Sequence, residues 1–158
     1  MSIFAPPGVG TVAQVVNTTT TAVATGTTLL PFDDTIPQNT EGDQYMTLAI
    51  TPKSTTNTLV IQVTATLSSS VVNNLSMALF QDSTANALAA TDQFIATGTA
   101  VVNISLSYTM AAGTTSATTF KIRAGGSLAG TTTFNGTNAV RLFSTIAKSS
   151  IVIWEYIS

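Results

Sequence analysis

Residues 150–157 read Ser-Ile-Val-Ile-Trp-Glu-Tyr-Ile. Along an extended strand successive side chains take opposite faces, so Ile151, Ile153, Glu155 and Ile157 share one face and Val152, Trp154 and Tyr156 the other. Neither face is polar. A strand with one wet side alternates apolar and polar residues. This one is therefore predicted to lie mid-sheet, over a core on one side and under a partner subunit on the other.

The same period of two recurs upstream. Residues 11–17 and a short piece around 22–24 read as opening strands, and residues 30–42, with Pro31, Pro37, Gly42 and three acids, as a surface loop. Residues 45–51 set Met46, Leu48 and Ile50 against Tyr45, Thr47 and Ala49, and residues 58–67 set Leu59, Ile61 and Val63 against Val60, Gln62 and Thr64. With the turn-forming residues 52–57 between them, these two are predicted to pair as an antiparallel hairpin.

Residues 75–81 continue the alternation, whereas 82–93 are alanine-rich but too short and poorly patterned for a helix and are expected to be loop. Residues 100–109, 118–124, 131–134 and 139–147 read as further strands, with Asn135-Gly136 as a hairpin turn. Eight or more short strands without a convincing helix predict an all-β chain, a sandwich, jelly roll or barrel. Pro6, Pro7, Gly8 and Gly10 make residues 1–10 an arm, whose Ile3 and Phe4 are expected to dock on something; residues 11–158 form a single domain.

Composition narrows the classes. Hydrophobic residues make up 44% of 158 and charged ones 8%, far below the roughly one quarter of ordinary soluble domains, so association is expected. Five Lys plus Arg and a net charge of −2 provide no footprint for a phosphate backbone, so nucleic acid is not an expected partner. The first ten residues carry no positive side chain and no long apolar run, which predicts no secretory signal, and no stretch has the length of a membrane span. The absence of Cys is compatible with a reducing cytoplasm and equally with a released protein that lacks disulfides.

Several segments carry a resemblance. Asn39-Thr-Glu-Gly-Asp-Gln-Tyr-Met-Thr-Leu-Ala-Ile-Thr-Pro-Lys-Ser-Thr-Thr-Asn-Thr-Leu-Val-Ile-Gln-Val63 resembles a hairpin of the jelly-roll domains of bacteriophage tail-fibre and related virion proteins. Residues 78–83, 113–123 and 149–157 resemble three later landmarks of those domains, in the same order. The resemblance implies a jelly roll of the C1q and tumour-necrosis-factor type, a homotrimer with its C-terminal strand near the axis. It also implies a non-enzymatic virion protein, made in the host cytoplasm, at a tail-fibre or related exposed position and binding a host surface glycan or protein. Its partners would be its own copies and other virion proteins. A capsid decoration subunit held by its arm is the alternative, followed by a glycan-degrading enzyme and a non-viral secreted trimeric ligand.

Candidate chemistry is sparse. Without His or Cys, His-based catalysis and ordinary zinc sites are excluded. The carboxylates available to a glycosidase are Asp33, Asp34, Glu41, Asp43, Asp82, Asp92 and Glu155, mostly in turn-like sequence, so no catalytic residue is assigned. Asp33, Asp34, Glu41 and Asp43 are oxygen ligands without the spacing of a calcium loop, and no cofactor is expected. Glu155 interrupts an isoleucine face; a buried charge requires a partner, and Arg123, Arg141 and Lys121 are the available cations, against the alternative of a solvated strand end. Val152, Trp154 and Tyr156, with Glu155, Arg123 and Arg141, are the candidate subunit interface. Asn73, Asn74, Ser127, Asn135 and Asn138, in three loops, are the candidate receptor contacts.

Overall fold

The computed structural model describes residues 10–158, so Ile3 and Phe4 lie outside the described residues. Among these, the regular elements are all strands: β1 (Val12–Thr20), β2 (Ala24–Gly26), β3 (Asp43–Ile50), β4 (Thr58–Ser69), β5 (Asn73–Gln81), β6 (Ala89–Ile95), β7 (Val101–Ala111), β8 (Thr118–Gly126), β9 (Thr132–Phe134), β10 (Gly136–Thr137), β11 (Val140–Arg141) and β12 (Ser149–Tyr156). The β-branched and alternating composition favours pleated, half-buried surfaces throughout.

The long strands form two layers. One runs β1-β12-β4-β7, with β9 and β2 continuing it beside the end of β4, and the other runs β3-β8-β5-β6. Counting the eight long strands in chain order, the first layer holds the first, eighth, third and sixth, and the second holds the second, seventh, fourth and fifth. That is the jelly-roll order. The core between the layers is built from Met46 and Ile50 of β3, Leu59, Ile61 and Val63 of β4, Leu75, Met77 and Leu79 of β5, Phe120 and Ile122 of β8, and Ile151 and Ile153 of β12.

Four expectations are corrected. The segments expected to pair as a hairpin belong to different layers: β3 pairs with β8, and β4 with β12 and β7. Each has one apolar face, and these faces meet across the core instead of lying side by side. Residues 89–93, the second half of the expected loop 82–93, belong to the edge strand β6 along β5, which needs backbone pairing more than side-chain pattern. Residues 139–147, expected as a strand, contribute only the two-residue β11, paired with β10. The tight turn sits at Asn138 and Ala139, both left-handed (φ 49° and 60°), and not at Asn135-Gly136. Gly136 instead lies in β10, where a side chain would collide with the Val140 carbonyl.

The segment 27–42 crosses the outer face of the second layer. Its Leu30 is fully buried against Ala78 and Phe80 of β5, so β5 is covered on both sides. Gly42 turns the chain there at φ 60°, and its carbonyl accepts from Arg123 Nη2 at 2.6 Å while Arg123 Nε donates to the Glu41 carbonyl at 2.7 Å.

Candidate functional site

β12 lies between β1 and β4, and its burial alternates without exception: Ile151, Ile153 and Glu155 face inward, and Val152, Trp154 and Tyr156 face outward and stay half-exposed. On the outer face Trp154 sits in register between Val15 of β1 and Val60 of β4, and Val152 sits between Asn17 and Gln62. Val15 is 46% exposed. Among the described residues, the centre of this sheet face is therefore apolar and only partly covered.

The inward Glu155 is 0% exposed. Its Oε1 accepts from Asn57 Nδ2 at 2.6 Å, from the Lys53 amide at 2.7 Å and from the Ser54 amide at 3.4 Å; its Oε2 accepts from Gln14 Nε2 at 2.6 Å. The expected pairing with Arg123, Arg141 or Lys121 is corrected, as is the solvated strand end. Arg123 is held on β8 of the opposite layer, Lys121 Nζ donates to the Asp82 carbonyl, and Arg141 is exposed on β11. Neutral donors replace a counter-ion. Burial alone raises the carboxyl pKa, but hydrogen bonds from Gln14, Asn57 and the two amides outweigh it and hold the group below its ordinary value. The network ties β1, the turn before β4, and β12 together. Its members Gln14 and Asn57 were not singled out by sequence, because a turn and an edge strand give no sign that their amides converge on residue 155.

The receptor candidates divide. Asn135 is 0% exposed: Nδ2 donates to the Thr20 and Ala22 carbonyls at 2.9 and 3.1 Å, and Oδ1 accepts from Ser149 Oγ at 2.7 Å. Asn73 is buried, with Nδ2 on Ser69 Oγ at 3.2 Å, and its Oδ1 has no partner. These two brace the end of the sandwich and cannot touch a receptor. Asn74 is half-buried and bonded to Asp92 at 2.8 Å, Ser127 is half-buried, and Asn138 is exposed. The same end also exposes large hydrophobes: Val72, Leu128, Val140, Phe143 and Ile146. Asparagines in loops read as solvent-facing in sequence, whereas here the amide of Asn135 satisfies backbone carbonyls, those of Asn73 and Asn74 bond side chains, and large hydrophobes project.

The acids suggested for calcium do not converge. Asp33 Oδ1 accepts from the Thr35 hydroxyl and amide, which lower its pKa; Glu41 accepts from the Gln38 amide; Asp43 accepts from Thr28. Among the described residues no group of three or more acids is placed to share an ion. Tyr45 stacks on Phe134 with ring centroids 5.0 Å apart, and burial, with the nearby Asp43, pushes its phenol well above the ordinary value.

No protein-family model matches the chain, and no curated protein sequence does. Among solved structures, the fold is similar to Eiger TNF of S. frugiperda, with a TM-score of 0.52 and 9% identity over 91% of this chain and 93% of that one. Weaker overlaps include the VP2 subviral particle of infectious bursal disease virus (TM-score 0.42, 13% identity, 100% of this chain and 42% of that one). Another is the enzymatically active domain of tailspike protein 4 of bacteriophage CBA120 (TM-score 0.33, 16% identity, 79% of this chain and 19% of that one). The chain thus spans under half the length of the last two. Strand order and the first likeness together define the class: an all-β, antiparallel jelly-roll sandwich.

Proposed function

We propose that the chain is a structural protein of a bacteriophage virion that assembles as a trimer through the outer face of β12 and works at a tail-fibre or similar exposed position, binding a host surface glycan or protein. The observation that carries the assembly is the row Val15, Trp154, Val60 across the middle of a sheet, flanked by Val152 and Tyr156 and left partly open by the described residues. A second apolar surface fits against it. At the open side of the sandwich, β6 and β7 have no outer neighbour among the described residues, and Leu106, Tyr108 and Met110 of β7 point toward the core yet remain half-exposed. A face on one copy meeting an edge on the next is a heterologous contact, which closes into a ring when the rotation permits. β7 also has no charged residue to block such contact. Three copies, and the virion setting, rest on the resemblance of residues 39–63, 78–83, 113–123 and 149–157 to virion jelly rolls. Val72 and Leu128, exposed at the loop end, supply the kind of surface that loops on a rigid β scaffold use for binding.

Sedimentation velocity at micromolar concentration tests the assembly: three chains are expected, and a well-folded monomer overturns it. Binding of the isolated protein to host cells supports attachment. Binding to capsids alone replaces it with decoration, and release of reducing sugar with catalysis.

A further inference from the structure

Outside the β12 face, the most exposed hydrophobes lie in residues 140–148: Val140, Phe143 and Ile146 are 63%, 75% and 78% exposed. The backbone holds them out at a cost. Asn138, Ala139, Phe143 and Ser144 are all left-handed (φ 49° to 60°), a conformation that persists in non-glycine residues only where something offsets it. The charges of this loop are Arg141 and Lys148, two of the five basic residues, and it contains no acid.

The complementary chemistry occurs elsewhere on the same chain. Beneath residues 33–37, on the outer face of the second layer, a shallow groove of ≈ 400 Å³ is lined by Ile36, Pro37 and Leu88 together with the exposed Asp33 and Asp34. An adjoining hollow of ≈ 170 Å³ shares Asp33 and Pro37 and reaches Asp92. No Lys or Arg lines either one. The walls are preformed: the Ala87 amide donates to the Pro37 carbonyl at 2.9 Å, the Asn39 amide to the Ala85 carbonyl at 2.8 Å, and Gln38 Nε2 to Asn86 Oδ1 at 3.0 Å.

We propose that copies of this chain join head to tail, the loop 140–148 of one inserting Phe143 and Ile146 into the groove under residues 33–37 of the next, with Arg141 and Lys148 against its Asp33 and Asp34. The occupant is a second copy because one sequence carries both halves, matched in polarity and in charge. Loop and groove lie on different faces of the sandwich, so the contact runs between molecules, and it leaves the β12 face free. It therefore goes beyond trimer formation and links trimers to one another.

Sedimentation velocity on the full chain, from about 1 to about 100 µM, tests this. Wild type is expected to form species larger than the trimer as concentration rises. Phe143→Asp, the loop reversal Arg141→Glu with Lys148→Glu, and the groove reversal Asp33→Lys with Asp34→Lys should each raise the required concentration about tenfold or more. Combining both reversals in one chain should restore it. All these positions are exposed, so thermal midpoints should stay put. In a Trp154→Glu background the same head-to-tail growth should proceed from monomers, which separates this contact from the trimer. Absence of larger species, or failure of the combined reversal to restore them, overturns the proposal. So does loss of binding to phosphatidylglycerol vesicles on loop reversal while groove reversal changes nothing, since the loop then serves a lipid surface.

Discussion

Gln14 Nε2 stands 2.6 Å from Glu155 Oε2, joining the first long strand to the last across 141 positions of sequence. The carboxylate it touches is fully buried and is held charged by amide donors, with no cation among its partners in the described residues.

Replacing Glu155 with Gln turns an acceptor into a donor opposite Gln14 and Asn57. At least one of those amides then loses its partner, at about 1–3 kcal/mol per unsatisfied group. Glu155→Ala strands all the donors and is expected to cost more. Urea unfolding of both variants checks the order.

The pH dependence follows from the same contacts. The Glu155 pKa lies lower folded than its ordinary value of 4.5, so the unfolded chain takes up the proton first as pH falls. The stabilisation is complete above the unfolded value and is lost as pH drops through the folded one. Wild type should lose more stability between about pH 5 and pH 2 than Glu155→Gln does, measured by unfolding midpoints over that range.

Neighbouring residues of β12 should separate folding from assembly. Ile153→Ala empties core volume and is expected to destabilise by about 2–5 kcal/mol. Trp154→Ala, on the opposite face, should leave unfolding of the isolated chain nearly unchanged while weakening the oligomer. Unfolding and sedimentation on the same two variants distinguish these effects.

Asn135 combines a left-handed backbone (φ 55°) with hydrogen bonds to Thr20, Ala22 and Ser149. Asn135→Ala retains the strain, removes the donor to two carbonyls and takes the acceptor from the Ser149 hydroxyl, which keeps only the Thr66 amide, so a loss of about 2–4 kcal/mol is expected. Thermal melts check it. Leu30→Ala should act locally: hydrogen exchange in residues 27–42 should accelerate well before β5 does.

The layers were legible where side chains alternate. Residues 58–67, 100–109 and 150–157 appear as β4, β7 and β12 with the expected faces, because burial on one side leaves a period of two. Pairing was not legible. Met46, Leu48 and Ile50 match Leu59, Ile61 and Val63 equally well as neighbours in one sheet or as opposite walls of a core, and only the long-range register decides. Residues 139–147 alternate without being a strand, since Phe143 and Ile146 point to solvent. The Glu155 site was half-legible: the misplaced charge was visible at once, but its donors come from a turn and a distant strand, two of them backbone amides that no side-chain pattern reports.

The strand at the middle of the first layer is made after both of the strands that flank it. Until residues 149–156 leave the ribosome, β1 and β4 have no common neighbour, Glu155 is absent, and the Trp154 surface does not exist. Folding of this layer is thus gated by synthesis of residues 149–156, and a chain cut short before Ser149 lacks both the Glu155 network and the strand that joins β1 to β4.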